Sequence, residues 1–395
     1  MTSFSPGDII VNSCTISGDG GDVDISRRIR SWQVFENLQK PYSSIQMVVV
    51  DNTGLMDQNV VLNGHNFLSL SFQNVGQDPY ENIWAVTSVE KSSHTQNLRT
   101  KIYTITGYSI HMLNVPRVQR AYKDITPTAV ITDLVNTYVG PYKGFSVRDP
   151  SRGMIGNNLM PFNINGQQIY AALKNVMNQA ASSSNDSSAY ALFEDSKGLV
   201  LDSLENILLT GLANPVATYI QRPLGQDFFR DQAMQAYVIL SLRENARVER
   251  VSSLQAETQA TRVYDIFSHG FSSAAANFGG GDSGSNKGSG SATYQNLGYN
   301  IMRPPSYAQV FAAPRKWIAS VFDGQSVTIQ VPFNSDLTVA CGVTVESIAP
   351  GGDLDTAVLD GLAGPCVATE ICHNVRLDRK KMQGLTIGRF VTGRG

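Results

Sequence analysis

Charge is the first thing this sequence is short of. Lys, Arg, Asp and Glu make up 16% of its 395 residues, against roughly a quarter in ordinary globular domains. Ser, Thr, Asn, Gln and Gly fill the gap. So sparsely charged a surface holds little solubility in reserve, and it suits a chain that covers much of itself with partners. The charges present nearly cancel, to a net −2, so no basic field announces nucleic-acid recognition. Cysteine is scarce as well. Cys14, Cys341, Cys366 and Cys372 are too few and too scattered for a disulfide framework. Long apolar runs are missing, and Ile45–Val50 falls far short of a membrane span. The opening Met1-Thr-Ser-Phe-Ser-Pro-Gly-Asp8 has neither a positive start nor an apolar stretch. No secretory signal is read there, and synthesis in a cytosol is the default.

Signatures of chemistry are also thin. The Gly-rich run from Gly279 to Gly290 carries Lys287 after Asn286 rather than after Gly, and no helical pattern follows it. A phosphate loop needs both, so a mobile loop is the expected reading. Asp19, Asp22 and Asp24 lie close together as calcium ligands do, but no downstream Glu completes them; a hairpin turn is expected. Cys366, Cys372 and His373 lack a Cys-x-x-Cys partner pair. On a strand Cys372 and His373 face opposite ways, and the expectation is a buried Cys and a rim His. No Gly-x-Ser-x-Gly elbow is present. Carboxylates are scattered, so nothing concentrates a pair for glycan cleavage. Arg243, Arg247 and Arg250 read as one solvated helix face. Catalytic, cofactor-binding and metal residues are therefore expected to be none.

What is present is strand pattern. Asp8–Ser17 alternates, the Gly-Asp-Gly-Gly-Asp run at 18–22 turns it, and Val23–Ile29 resumes. Ser44–Asp51 sets Ile45, Met47 and Val49 against Gln46, Val48 and Val50. Both faces are partly apolar, so both are expected to be covered. Val48 and Val50 are then candidates for a subunit interface; in the opposite register Met47 and Val49 would be the outer pair. Turns follow at Asn52-Thr53-Gly54 and Asn63-Gly64, then a clean strand at Phe67–Phe72 and a hairpin of Ile83–Glu90 with Leu98–Tyr108. Short strands without a helix suggest a closed antiparallel barrel or a sandwich at 1–113.

A helix interrupts them at Asp124–Tyr138. Val130, Ile131, Leu134, Val135 and Tyr138 share one face, Thr126 stands at the N-cap, Pro127 opens the first turn and Gly140-Pro141 stops it. A second helix is expected from a capping box at Asn165-Gly-Gln-Gln168 through Gln179. Ser182–Ser188 reads as a polar loop, Tyr190–Phe193 with Leu199–Leu204 as a hairpin, and Thr261–Gly270 as an amphipathic helix. Residues 272–298 are too simple in composition to order themselves alone and are expected to be flexible. From Ser326 strands return, at Val327–Val331, Val343–Ile348, Gly364–Cys372 and Arg376–Asp378.

This succession resembles the phage tail baseplate hub family, shared by the hub part of type VI secretion spike proteins. The residues that carry the likeness are Val48-Val-Val-Asp51, Gly54-Leu55 and Asn63-Gly64-His65 leading into Phe67–Phe72. Trp84–Glu90, Tyr103–Tyr108, Leu113-Asn114-Val115, Arg117-Val118, Tyr122 and the Thr-Pro helix follow in order. In the family an acidic residue commonly follows Gly64, and here it is His65. The resemblance implies a mainly β fold with some α (α+β): two antiparallel tube-like β-barrels linked by a mixed α/β middle domain. The expected layout is a barrel at 1–113, a middle region at 114–271, the flexible stretch and a smaller barrel at 299–395, which 205–230 could join. It implies a structural virion protein in the tail baseplate, assembled in the host cytoplasm. As a homotrimeric ring it would join the hexameric tail tube, or a tube initiator, to a trimeric spike beside other baseplate proteins. DNA would pass through its lumen without sequence-specific binding, and a contractile tail is the favoured setting. The rival readings are a tail-associated cell-wall hydrolase that uses the barrels as a platform, and a secretion-system spike hub.

Overall fold

The structure is a computed structural model. It describes residues 7–60, 65–74, 76–94, 97–112, 115–151, 160–184, 189–221, 237–246, 258–265, 270–277, 322, 325–346, 364–378 and 381–392. The sequence expectations at Asn63-Gly64, 185–188, Arg247, Arg250, the Gly279–Lys287 run and the rest of 278–298 lie outside the described residues.

Strands β1 (Asp8–Gly18) and β2 (Gly21–Asp24) form the first hairpin. They lead to β3 (Ile29–Asn37), β4 (Ser44–Asp51), the short helix α1 (Leu55–Asn59) and β5 (Phe67–Asn74). The long hairpin is β6 (Tyr80–His94) with β7 (Asn97–Ser109). The middle of the chain contributes β8 (Arg117–Ile125), α2 (Pro127–Leu134), β9 (Phe145–Val147), β10 (Met160–Gln168) and α3 (Ile169–Met177). It continues with β11 (Tyr190–Asp195), β12 (Gly198–Ser203) and α4 (Leu204–Ala213). Then come β13 (Pro215–Ile220), β14 (Ser241–Ala246), β15 (Thr258–Asp265) and β16 (Gly270–Asn277). The last strands are β17 (Gln325–Pro332), β18 (Gly342–Glu346), β19 (Gly364–Asp378) and β20 (Lys381–Thr392).

The fold is mainly β, dominated by one 13-stranded sheet in the order β13-β18-β19-β3-β4-β7-β6-β5-β1-β20-β17-β14, with β2 beside β1. Two strands from the end of the chain tie it together. The first part of β19 pairs with β18 and, beyond a bulge between Ala368 and Glu370, the rest pairs with β3. β20 meets β1 at Met382 and Gln383, then β17 from Leu385 onward. Because β19 also pairs with β20, the pairings β19-β3-β4-β7-β6-β5-β1-β20 return to their starting strand. Two cores follow from this. Trp32, Met47, Val49, Leu68, Phe72 and Trp84 anchor one, and Tyr219, Ile329, Val343, Val367 and Phe390 anchor the other. β19 reaches both, with Ile371 in the second and Val375 in the first.

A third core is built on α2 and α3 against β8, β10 and β12. The α2 helix forms where its caps put it. Thr126 has extended backbone and its hydroxyl accepts from the Ala129 amide at 3.3 Å, Pro127 opens the first turn, and Gly140 ends the run in the left-handed region. Val130, Ile131, Leu134 and Val135 are all 0% exposed.

Three expectations are corrected here. Residues 165–168 are the end of β10, not a capping box. Asn165 stands opposite Gln119 and Gln168 opposite Arg117 on β8, so the sheet ladder takes the backbone groups that a cap would have taken. Thr261–Gly270 is not a helix. β15 pairs with β16 from Thr258–Asn277 to Asp265–Gly270, which also makes 272–277 part of a strand. The β-branched Thr258, Thr261 and Val263 favour that outcome. Arg243 lies on β14, opposite Thr328, and so is not on a helix face.

Candidate functional site

Strand β4 has the bounds expected of it, and its register is now fixed. Ile45, Met47 and Val49 are 1%, 0% and 0% exposed and point into the first core. Val48 and Val50 lie on the opposite face, half-buried. Val48 sits between Ser31 of β3 and Thr104 of β7, and Val50 beside Ile102. The cross-strand neighbours of Gln46, Val48 and Val50 on this face, Gln33, Ser31, Thr106, Thr104 and Ile102, are all uncharged. Nearby, Phe35 and Tyr108 are 40% and 38% exposed. The strand ends where Asp51 turns its carboxylate back to accept the amides of Thr53, Gly54 and Met56 at 3.0, 3.1 and 2.8 Å.

The Cys-His stretch runs opposite to expectation. His373 is 0% exposed, whereas Cys372 is half-buried on the outer side of β19. The bulge before Glu370 sets this alternation, sending Ile371, His373 and Val375 inward. The imidazole packs edge-on to Tyr80 and Phe333, at 5.6 and 5.1 Å between centroids, and its Nδ1 is 3.1 Å from the Thr386 hydroxyl. Burial pulls its pKa down to about 4. Cys366 is buried in the second core, and burial pushes the Cys372 thiol up to about 11, so neither is poised as a nucleophile. At the first hairpin Asp24 spends its carboxylate on the amide and hydroxyl of Ser26, at 2.8 and 2.6 Å. Among the described residues no group of three or more His, Cys, Asp or Glu side chains is placed to hold a metal.

Sequence reasoning missed a buried polar junction where three parts of the chain meet. Glu36 of β3 is 2% exposed and accepts from the Tyr80 hydroxyl at 3.0 Å and the Val339 amide at 3.2 Å. Burial, reinforced by the Asp195 carboxylate, pushes it up to about 8. Glu194 of β11 accepts from the Ser43 amide at 2.6 Å, the Ser109 hydroxyl, and the Asn82 amide at 3.4 Å. Asp195 pairs with Arg148 at 2.6 Å and caps the turn through the Lys197 and Gly198 amides. Lys143 lies 5.6 Å from the Tyr80 ring and donates to the Ser196 carbonyl at 2.7 Å and to that of Glu81. No sequence spacing marks this group. Its members come from strands far apart in the chain.

No protein-family model and no curated protein matches this sequence. Solved structures do. The chain is similar to the tail protein from Neisseria meningitidis MC58, at 13% identity and a TM-score of 0.54 over 96% of each chain. It is also similar to the prophage MuSo2 43 kDa tail protein from Shewanella oneidensis, at 10% identity and a TM-score of 0.54 over 96% of this chain and 98% of that one. A chain of the half-lidded Francisella PdpA-VgrG complex is 9% identical with a TM-score of 0.50, over 98% of this chain and 58% of that one. Identities this low define a fold, and it is a phage tail protein fold along nearly the whole chain.

Proposed function

We propose that this chain is a structural tail protein, the central hub of a baseplate, and not an enzyme. The observation that carries the reading is the shared fold, which extends over 96% of both chains in the Neisseria comparison. In this reading the eight strands whose pairings return to β19 are one tube-like barrel. The strands β13-β18-β19-β20-β17-β14 are the other. Each copy offers two barrels joined through β19 and β20, so three copies present six barrels to a hexameric tube and threefold symmetry to a spike. DNA passes through the lumen, consistent with a net charge of −2 that binds it poorly. Val48 and Val50 cover themselves against a neighbouring copy or the tube, and the location is the virion tail baseplate. Fold likeness to a chain of the Francisella complex favours a second reading, the hub of a secretion spike. Electron microscopy of tail particles carrying a labelled copy of this chain separates the outcomes. Label at the junction of tube and spike supports a hub, and label along the tube or at the head end overturns it.

A further inference from the structure

A cleft of about 340 Å³ runs between β10 and α3. Phe162, Asn163 and Ile164 all line it. Successive residues of a strand point to opposite faces, so a cleft that touches three in a row lies along the strand's edge. Among the described residues β10 pairs with β8 alone, and no residue of β8 lines the cleft. The edge is therefore the one that β8 leaves open, where ladder amides and carbonyls remain to be paired. The facing wall is Ala172, Asn175 and Val176 of α3, with Gln179 just past its end. Asn175 Nδ2 donates to Gln167 Oε1 at 2.9 Å and bridges the two walls. No lining residue is charged, and the polar side chains are all carboxamides. Phe162 is 4% exposed, so no ring is offered for a sugar to stack on. A strand edge opposite an uncharged helix face suits an extended peptide that adds a strand. A charge carried in with that peptide would lose its water without gaining a partner.

We infer that β16 of a second copy of this chain docks in the cleft as a third strand beside β10. The sequence of β16, Gly270-Phe-Ser-Ser-Ala-Ala-Ala-Asn277, is uncharged throughout, as the cleft is, whereas its hairpin partner β15 carries Arg262 and Asp265. Among the described residues β15 and β16 form a two-stranded sheet of their own, and two strands alone are marginal in water. Joining the two ribbons gives one sheet of four strands, β8-β10-β16-β15. Within one chain β10 and β16 belong to different sheets, so the strand comes from another copy. The contact is head-to-tail, because each copy offers one cleft and one strand, and such contacts close into a ring. The second copy rests on the ring reading; the fit of β16 to the cleft does not.

Amide hydrogen exchange at residues 162–168 tests the docking, read on the full chain diluted to single copies and again where light scattering shows association. Those amides should exchange at least about tenfold more slowly in the associated chain, with residues 130–135 of α2 unchanged. In the dilute chain a free peptide Gly-Phe-Ser-Ser-Ala-Ala-Ala-Asn, at about 1 mM, should slow the same amides, and a peptide of the charged β15 sequence should not. Asn163→Asp, at an exposed position, keeps the shape, sets a charge in the cleft and should abolish both effects. Copies that associate while residues 162–168 exchange as in the single chain would overturn the inference and leave the ring standing. If copies never associate, with or without a spike, the ring reading falls; slowing by the peptide then still supports the cleft, and its absence overturns it. Slowing that persists in Asn163→Asp, or that an N-acetylglucosamine oligomer produces and the peptide does not, also overturns it. If the variant does not fold, the two peptides on the wild type decide.

Discussion

Replacing Val48 by Asp and, separately, Val49 by Asp sets the two faces of β4 against each other. Val49 is 0% exposed within the first core. Its burial contributes about 1.5–3 kcal/mol, and an unpaired carboxylate in its place costs several more. That sum is comparable with the whole stability of a domain, about 5–15 kcal/mol, so Val49→Asp should not fold. Val48 is half-buried on the far face. In a single chain its replacement keeps the new carboxylate in water and should cost about 0.5 kcal/mol. In an assembly that covers the face, the lost apolar burial of about 1 kcal/mol adds to the cost of burying a charge. A loss of about 3 kcal/mol per contact weakens association more than a hundredfold. Circular dichroism with light scattering reads both effects. A folded Val48→Asp chain that assembles as tightly as the wild type would refute the interface. An unfolded one would refute the face assignment.

The pH profile of stability should be a dome. Glu36 is raised from 4.5 to about 8, so its share of stability is complete below about pH 4.5 and is lost as pH rises through 8. His373 is lowered from 6.5 to about 4, so its share is complete above pH 6.5 and is lost as pH falls through 4. Denaturant midpoints should peak between these limits, and Glu36→Gln should flatten the alkaline side alone; an unchanged alkaline limb contradicts the assignment. Gly342→Ala should destabilise by about 3 kcal/mol, because the added Cβ would collide with the Gly211 carbonyl oxygen where α4 crosses β18. A midpoint unmoved by that change would contradict this packing of α4 on β18.

Local signals were the legible ones. β4 matches the sequence to the residue because alternation and the Asp51 turn are both written within eight positions. The cap and apolar face of α2 are likewise contained in one short stretch. What the sequence hid is non-local. Asn165-Gly-Gln-Gln168 has the residues of a cap, and only the β8 ladder, about fifty positions earlier, overrides it. The inward turn of His373 depends on a bulge before Glu370, which no composition marks. β19 lies beside β3 at the opposite end of the chain, so the closing of the strand circuit was invisible to any window. The Glu36 junction escaped for the same reason. Its carboxylates are scattered along the chain, and their meeting is a product of the fold.

The mass of the purified protein in solution, alone and mixed with a candidate spike, tests the hub reading most directly. The chain weighs 42.9 kDa. The account predicts a particle of three chains, formed by the protein itself or on addition of the spike, and a shift toward single chains in Val48→Asp. A mass of one chain under every condition, with no complex on the spike, would contradict it.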